Sequence, residues 1–374
     1  MSLYLDCNAT TQVIKPVADL VYKLMVEEYG NAGSRTHTFG VDAKRYVERS
    51  RQQVADVVCA DKSEIIFTSG ATESNNIAIL GLEKHGRETN RMHIITTEIE
   101  HKAVLEPIFE LEERGFEVTR LKPSKDGLID AKALVESLRD DTLLVSIMFV
   151  NNETGCIQPI ERFAEVLNDH NAYFHVDAAQ GYGKYIAPLQ NSRIDLISIS
   201  GHKIYAPKGI GALAMRKRGF IKPPLNPILF GGGQERKLRP GTLAVPLIAG
   251  LGLSSELALR DAEARRAHAC SIKTKVTEFL VEFSAKVNGE NTSDYVINFS
   301  IPGLNSEAAM VAFKDIIAVS NGSACTSNSY TPSHVLVAMG MTEKDINGSI
   351  RMSWSHQTGE LPLAQVSERI MQLL

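Results

Sequence analysis

Nothing in the sequence pairs its cysteines. The five of them, Cys7, Cys59, Cys156, Cys270 and Cys325, are scattered, odd in number and without a CxxC spacing, which argues against a disulfide framework and against a zinc site. Any cysteine that matters is expected to act as a thiol. No apolar run approaches the roughly 20 residues that span a bilayer, and the N-terminus, MSLYLDCNATT, lacks a charged-then-apolar leader pattern. A cytoplasmic location without membrane contact is the expectation. An excess of one charge is missing too: 40 Lys and Arg against 44 Asp and Glu leave a net charge of -4. That balance gives no footprint for direct nucleic-acid binding and favours small-molecule or protein partners.

Repeats and low-complexity tracts are absent as well, so the chain reads as ordinary globular protein. With 374 residues, 44% of them hydrophobic, it can bury a sizeable core and exceeds the usual size of one domain. Short apolar runs (EIIFTS, MHIITTEIE, LLVSIMFV, AYFHVDAA, DLISISG, GALAMR) alternate with helical stretches such as 160–168. This rhythm predicts an α/β fold with a mostly parallel sheet covered by helices. The Gly- and Pro-dense stretch from Lys222 to Pro246 breaks the pattern and reads as a long functional loop region. Residues 247–287 read as one or two long helices leading into a smaller α+β unit with the strand VINFSI, a helix over 306–313 and the strand IIAVSNG. The expected division is a large unit, 15–255, and a smaller one made of 1–14 and 256–374.

Four segments carry side chains with chemical potential. In Thr68-Ser69-Gly70-Ala71-Thr72-Glu73-Ser74-Asn75 a strand runs into a helix, whose free N–H groups and positive end suit an anion. An ordinary capped turn is the alternative. In His175-Val176-Asp177-Ala178-Ala179-Gln180 a strand delivers an acid to the sheet edge, where Asp177 can meet a cationic ring nitrogen or merely cap a turn. In Ser198-Ile199-Ser200-Gly201-His202-Lys203 a strand exits through a Gly turn to a lysine. Lys203 is either a Schiff-base amine or a solvated surface residue. In Asn321-Gly322-Ser323-Ala324-Cys325-Thr326-Ser327-Asn328-Ser329 small polar residues surround a thiol, the setting of an accessible nucleophile. Cys59, inside VADVVCA, is by contrast expected in the core. An anion cradle, a carboxylate, a lysine and a thiol together suit pyridoxal phosphate.

These segments, with DCNATT, EHKAV, NNETG, GGGQER and RPGT in the same order, resemble the cysteine desulfurase family, the NifS-like branch of the class V aminotransferases. The resemblance covers nearly the whole chain and implies a fold-type I pyridoxal 5'-phosphate enzyme. It makes Lys203 the lysine that carries the cofactor, Asp177 the partner of the pyridine nitrogen and Gln180 that of the phenolic oxygen. His101 would stack on the ring and shuttle protons, while Ala71, Thr72, Ser200 and His202 would hold the phosphate. Thr242 would reach the phosphate of a neighbouring subunit, implying a homodimer. Asn152 and Arg351 would fix the carboxylate of L-cysteine. Cys325 would take the sulfur as a persulfide, release alanine and pass sulfur to an acceptor protein.

The implied pathways are iron–sulfur cluster assembly, tRNA thiolation and DNA phosphorothioate modification. The alternatives are a selenocysteine or cysteine sulfinate lyase and an inactive scaffold. Two segments depart from the family pattern: Asn31-Ala32-Gly33-Ser34 replaces Asn-Pro-Ser-Ser, and Ser353-Trp354-Ser355-His356 replaces Ser-Leu-Gly-Arg. The chain also ends at Leu374, where housekeeping members continue into a scaffold-docking tail. These departures lead to the expectation of a dedicated acceptor protein.

Overall fold

The apolar runs do form one sheet in the computed structural model, which describes residues 2–321 and 332–374. Its seven strands are β2 (Ile65–Thr68), β3 (His93–Thr97), β4 (Glu117–Leu121), β5 (Thr142–Met148), β6 (Tyr173–Asp177), β7 (Leu196–Ser200) and β8 (Gly211–Met215), in the order β2-β8-β7-β6-β5-β3-β4. Only β8 runs against its neighbours. Because β8 is antiparallel to both β7 and β2, these two point the same way. Thr68, Asp177 and Ser200 therefore all end their strands at one edge of the sheet.

Successive strand residues fall on opposite faces, and both faces are covered. Ile66, Ile94, Leu144, Leu196 and Leu213 pack with helix residues Ile77, Val104 and Leu111 on one side. Phe67, Ile95, Val145, Ile197 and Ala214 belong to the larger core on the other. Burial on both faces explains why these strands read as nearly continuous apolar runs.

Two smaller sheets flank this one. A three-stranded antiparallel sheet contains β9 (Lys286–Val287), β10 (Val296–Ser300) and β12 (Ser349–Ser353), ordered β12-β10-β9. A parallel pair joins β1 (Leu3–Tyr4) to β11 (Ile317–Ala318). The N-terminal segment then bridges Asp6 to Ser353 and donates the Thr11 N–H to the His202 carbonyl at 2.9 Å. It thus runs from the small sheet to the turn after β7. Of residues 247–287, expected to be helical, two helices take up most, Val245–Arg260 and Ala262–Val281, the first running through residue 255, but the second stops at Val281 and Lys286–Val287 is the strand β9.

One expectation is corrected. Cys59 is exposed, not in the core. The helix Thr38–Val57 has already ended, and Cys59 stands in a left-handed turn at φ +52° that carries its side chain to the surface.

Candidate active site

The anion cradle begins where β2 meets the helix Ala71–Leu80. Gly70 has φ +154° and ψ -179°, a conformation open essentially to glycine alone, and no side chain caps the helix that follows. A Cβ on Gly70 would stand 3.9 Å from the Ser200 hydroxyl, in the space between the helix end and the end of β7. The turn is braced from outside the cradle: Glu73 accepts the Ser69 N–H at 2.5 Å and pairs with Arg239 at 2.9 Å.

Asp177, the last residue of β6, is buried and fixed by two donors. Its Oδ1 accepts the Ala179 N–H at 2.9 Å, and its Oδ2 accepts Asn75 Nδ2 at 2.8 Å. Asn75 lies on the helix of the cradle, so one hydrogen bond ties the carboxylate to the anion site. Two residues back in β6, His175 is held between the Ser146 and Ser198 hydroxyls, and burial pushes its pKa down to about 4. It is a neutral strut.

Lys203 stands in the turn after β7, with Nζ donating to the carbonyls of Asn8 and, at 2.8 Å, of Ala9. Burial, then repulsion from Lys184 and Arg351, lowers its pKa to about 7 against the opposing pull of Asp6 and Asp177. A large fraction of the amine is therefore neutral at pH 7. His202 beside it is lowered to about 4 by burial and by Lys203 and Lys208, and its Nδ1 meets the Thr10 hydroxyl at 3.1 Å.

His101 caps the helix Lys102–Glu113, its Nδ1 accepting the Ala103 N–H at 3.1 Å. That cap fixes the proton of the neutral ring on Nε2. Burial is the main cause lowering the His101 pKa.

Arg351 comes from β12. Its Nη1 donates to the Asn152 carbonyl at 2.9 Å and its Nη2 to Asp6 Oδ1 at 2.6 Å, while Nε is buried without a partner among the described residues.

One cavity of about 670 Å³ is lined by Ala71, Thr72, His101, Asn152, Asp177, Gln180, Ser200, His202, Lys203 and Arg351. Thr242 is exposed and does not line it. Cys325 lies outside the described residues. Sequence reasoning did not single out Asp6, Asn75, Glu100 or Lys184. The first three fall inside or beside quoted motifs, but only the fold shows what they touch.

These residues fit pyridoxal phosphate. An uncapped helix end beside a glycine with open space suits its phosphate, a buried carboxylate suits its ring nitrogen, and a half-neutral lysine suits its aldehyde.

The class-V aminotransferase family model matches residues 3–360, and the chain belongs to that family of pyridoxal-phosphate enzymes. It is 42% identical over 368 residues to "Cysteine desulfurase IscS" of Rickettsia prowazekii (strain Madrid E), covering 96% of this chain and 88% of that protein. Among solved structures it is similar to DndA from Streptomyces lividans, with 52% identity, TM-score 0.83 and coverage of 93% and 98% of the two chains. It is similar also to SspA in complex with cysteine, with 37% identity, TM-score 0.82 and coverage of 94% and 98%. Within its family the chain is a pyridoxal-phosphate-dependent cysteine desulfurase.

Proposed function

We propose that this enzyme moves the sulfur of L-cysteine onto Cys325, and that the residues lining the cavity divide the work as follows. Ala71, Thr72, Ser200 and His202 hold the cofactor's phosphate, Asp177 its ring nitrogen, Gln180 its phenolic oxygen and Lys203 its aldehyde carbon. When bound, the cofactor supplies an electron sink for the substrate's α-carbon. The observation that carries the reading is that Lys203, Asp177 and the open helix end face one cavity.

Arg351 and Asn152 orient the substrate carboxylate, with Arg351 already held by Asp6. Lys203, partly neutral at pH 7, can take a proton from the substrate. His101 holds a movable proton at Nε2. The Cys325 thiolate attacks the substrate sulfur as its bond to carbon breaks. L-cysteine and the Cys325 thiol thus become L-alanine and a Cys325 persulfide, with atoms and electrons balanced.

The test is Cys325→Ala. It should bind cofactor and cysteine yet form almost no alanine or sulfide, whereas wild type incubated with L-cysteine should gain one sulfur atom on the peptide bearing Cys325. Wild-type turnover in the variant would overturn the persulfide and favour the selenocysteine or cysteine sulfinate lyase.

The same proposal includes a homodimer and the two-unit division at residue 255. Phe220, Ile221 and Phe230, in the segment leading to Thr242, are exposed apolar side chains of the kind a second copy would cover. Pairing of β1 with β11 and of Asp6 with Ser353 supports grouping 1–14 with the C-terminal unit.

For the acceptor we propose a dedicated protein acting in DNA phosphorothioate modification. Support comes from the altered Ser353–His356 segment and from the net charge of -4, which suits handing sulfur to a DNA-acting partner. Deleting the gene should abolish phosphorothioate dinucleotides and spare iron–sulfur enzymes. Loss of the iron–sulfur enzymes alone would overturn this assignment.

A further inference from the structure

Behind the cavity lies a second lysine that does not line it. Lys184 is 8% exposed, and its Nζ donates to Gln180 Oε1 at 3.2 Å. The other end of that amide, Nε2, donates to the Asn8 carbonyl at 2.8 Å, and the same carbonyl accepts Lys203 Nζ. A carbonyl oxygen has two lone pairs and can take both donors. Lys184, Gln180, the Asn8 carbonyl and Lys203 therefore form one continuous chain of hydrogen bonds.

We propose that Lys184 is a positioning residue of the active site, fixing the Gln180 amide and, through the shared Asn8 carbonyl, the place of the Lys203 amine. An ammonium can only donate, so it selects the amide oxygen and turns the amide nitrogen toward Asn8. Without Lys184 the Asn8 carbonyl alone holds the amide's orientation, since a flipped amide sets oxygen against oxygen there. One N–H of Gln180 is used on Asn8, which leaves the other for a ligand in the cavity that Gln180 lines.

The charges agree with this geometry. Burial lowers Lys184 to about 8, so it remains mostly protonated at pH 7. Its neighbour Cys7 is pushed by burial up to about 11 and stays a neutral thiol. The ammonium also stands 5.4 Å from the centre of the Tyr295 ring, a favourable cation–π contact. Among the described residues, the charged and titratable groups around Lys203 are Lys184, Arg351, Asp6 and Asp177, with His101 and His202 beside it and Lys208 also lining the cavity. Of these, Lys184 and Arg351 hold the amine toward its neutral form.

The inference rests on the reading of Lys203 as the reactive amine, and the experiment separates the two. Cofactor-free wild type, Lys184→Met and Lys184→Gln are labelled competitively with acetic anhydride across pH 5–10, and acylation of Lys203 is followed by peptide mass spectrometry. Melting curves check that each variant is folded, and two replacements of different polarity guard against a packing loss in either. In wild type Lys203 should titrate near 7. In both variants its midpoint should rise by about one pH unit, which makes Lys203 roughly fivefold less reactive at pH 7. A purely structural lysine would change the melting temperature and leave that midpoint in place. A low midpoint in all three proteins overturns the role of Lys184 and leaves that of Lys203 standing. An ordinary lysine midpoint in wild type overturns the reading of Lys203 itself.

Discussion

Asp177 and Lys203 reach the cavity from the ends of neighbouring strands of one sheet, whereas Arg351 reaches it from β12 and is held by Asp6, 345 residues away in sequence. The first wall is set by strand pairing: once β6 and β7 are in register, the carboxylate and the amine have little freedom left. The second wall exists only when the N-terminal segment, the loop around Asn152 and the small sheet have all come together. In the proposed roles, Lys203 and Asp177, which act on the cofactor, sit on the sheet wall, and Arg351, which grips the substrate, sits on the assembled one. Damage to the first wall should therefore appear in turnover, and damage to the second in substrate affinity.

The largest expected effect tests the sheet wall. Lys203→Ala should lower turnover by about 10³-fold or more, toward the upper end of what a proton-transferring side chain contributes. Borohydride treatment should then fix no cofactor mass on the peptide containing residue 203, while wild type gains it. Asp177→Asn keeps the size of the side chain and its acceptor for the Ala179 N–H but removes the negative charge. It should cost about 10²-fold in kcat with KM little changed. A variant that loses affinity and keeps kcat would break the division of labour between the walls.

A smaller effect is expected on the assembled wall. Arg351→Ala should raise KM for cysteine by about 10- to 100-fold, the equivalent of one charged hydrogen-bonding contact at about 1.5–3 kcal/mol. The kcat should change less. Arg351→Lys keeps the charge but loses the fork that reaches Asp6 and Asn152 together, so it should recover only part of the affinity. Steady-state kinetics with KM and kcat reported separately decide the matter, and equal losses in both would merge the two walls into one unit.

The same contrast explains what was legible in the sequence. Strands buried on both faces announce themselves as apolar runs, and residues at their ends, such as Asp177 and Lys203, inherit that visibility. The edge strand Glu117–Leu121 was missed because one side of it is open and its sequence, EVTRL, is mostly polar. Arg351 lies inside a strand with no local mark of function, and only family resemblance singled it out. Lys184 sits four residues after Gln180 and reads as any solvated lysine, because nothing local tells that both are buried. Cys59 follows an apolar helical stretch and reads as core, yet one left-handed residue reverses its direction. Local patterns report strand ends well and say little about groups placed by long-range closure or by a single backbone turn.

The smallest effect is expected beneath the sheet wall, at Glu100. Glu100 is fully buried next to His101, its Oε1 accepting the Thr97 hydroxyl at 2.7 Å and the Met148 N–H at 2.8 Å, while Oε2 has no partner among the described residues. Burial, with a smaller contribution from Asp177, raises its pKa from 4.5 to about 8. The folded chain thus keeps a proton on Glu100 through neutral pH that the unfolded chain releases near 4.5. Because the native state binds the extra proton, this stabilising contribution is full below about 4.5, declines as pH rises toward 8 and is gone above it. Glu100→Gln stays neutral at every pH and keeps an oxygen for both donors, so the decline should vanish. Relative to wild type, the variant should gain about 1–3 kcal/mol of stability between pH 5 and pH 8, a portion of the ~1.4 kcal/mol that each shifted pH unit is worth. Urea unfolding of the cofactor-free proteins at pH 5, 6, 7 and 8 measures the difference, in which all other titrating groups cancel. Parallel curves would mean that Glu100 is ionised in the folded chain and that a second negative charge lies below Asp177. The sheet wall would then depend on Asn75 and the Ala179 N–H to hold Asp177 against that repulsion.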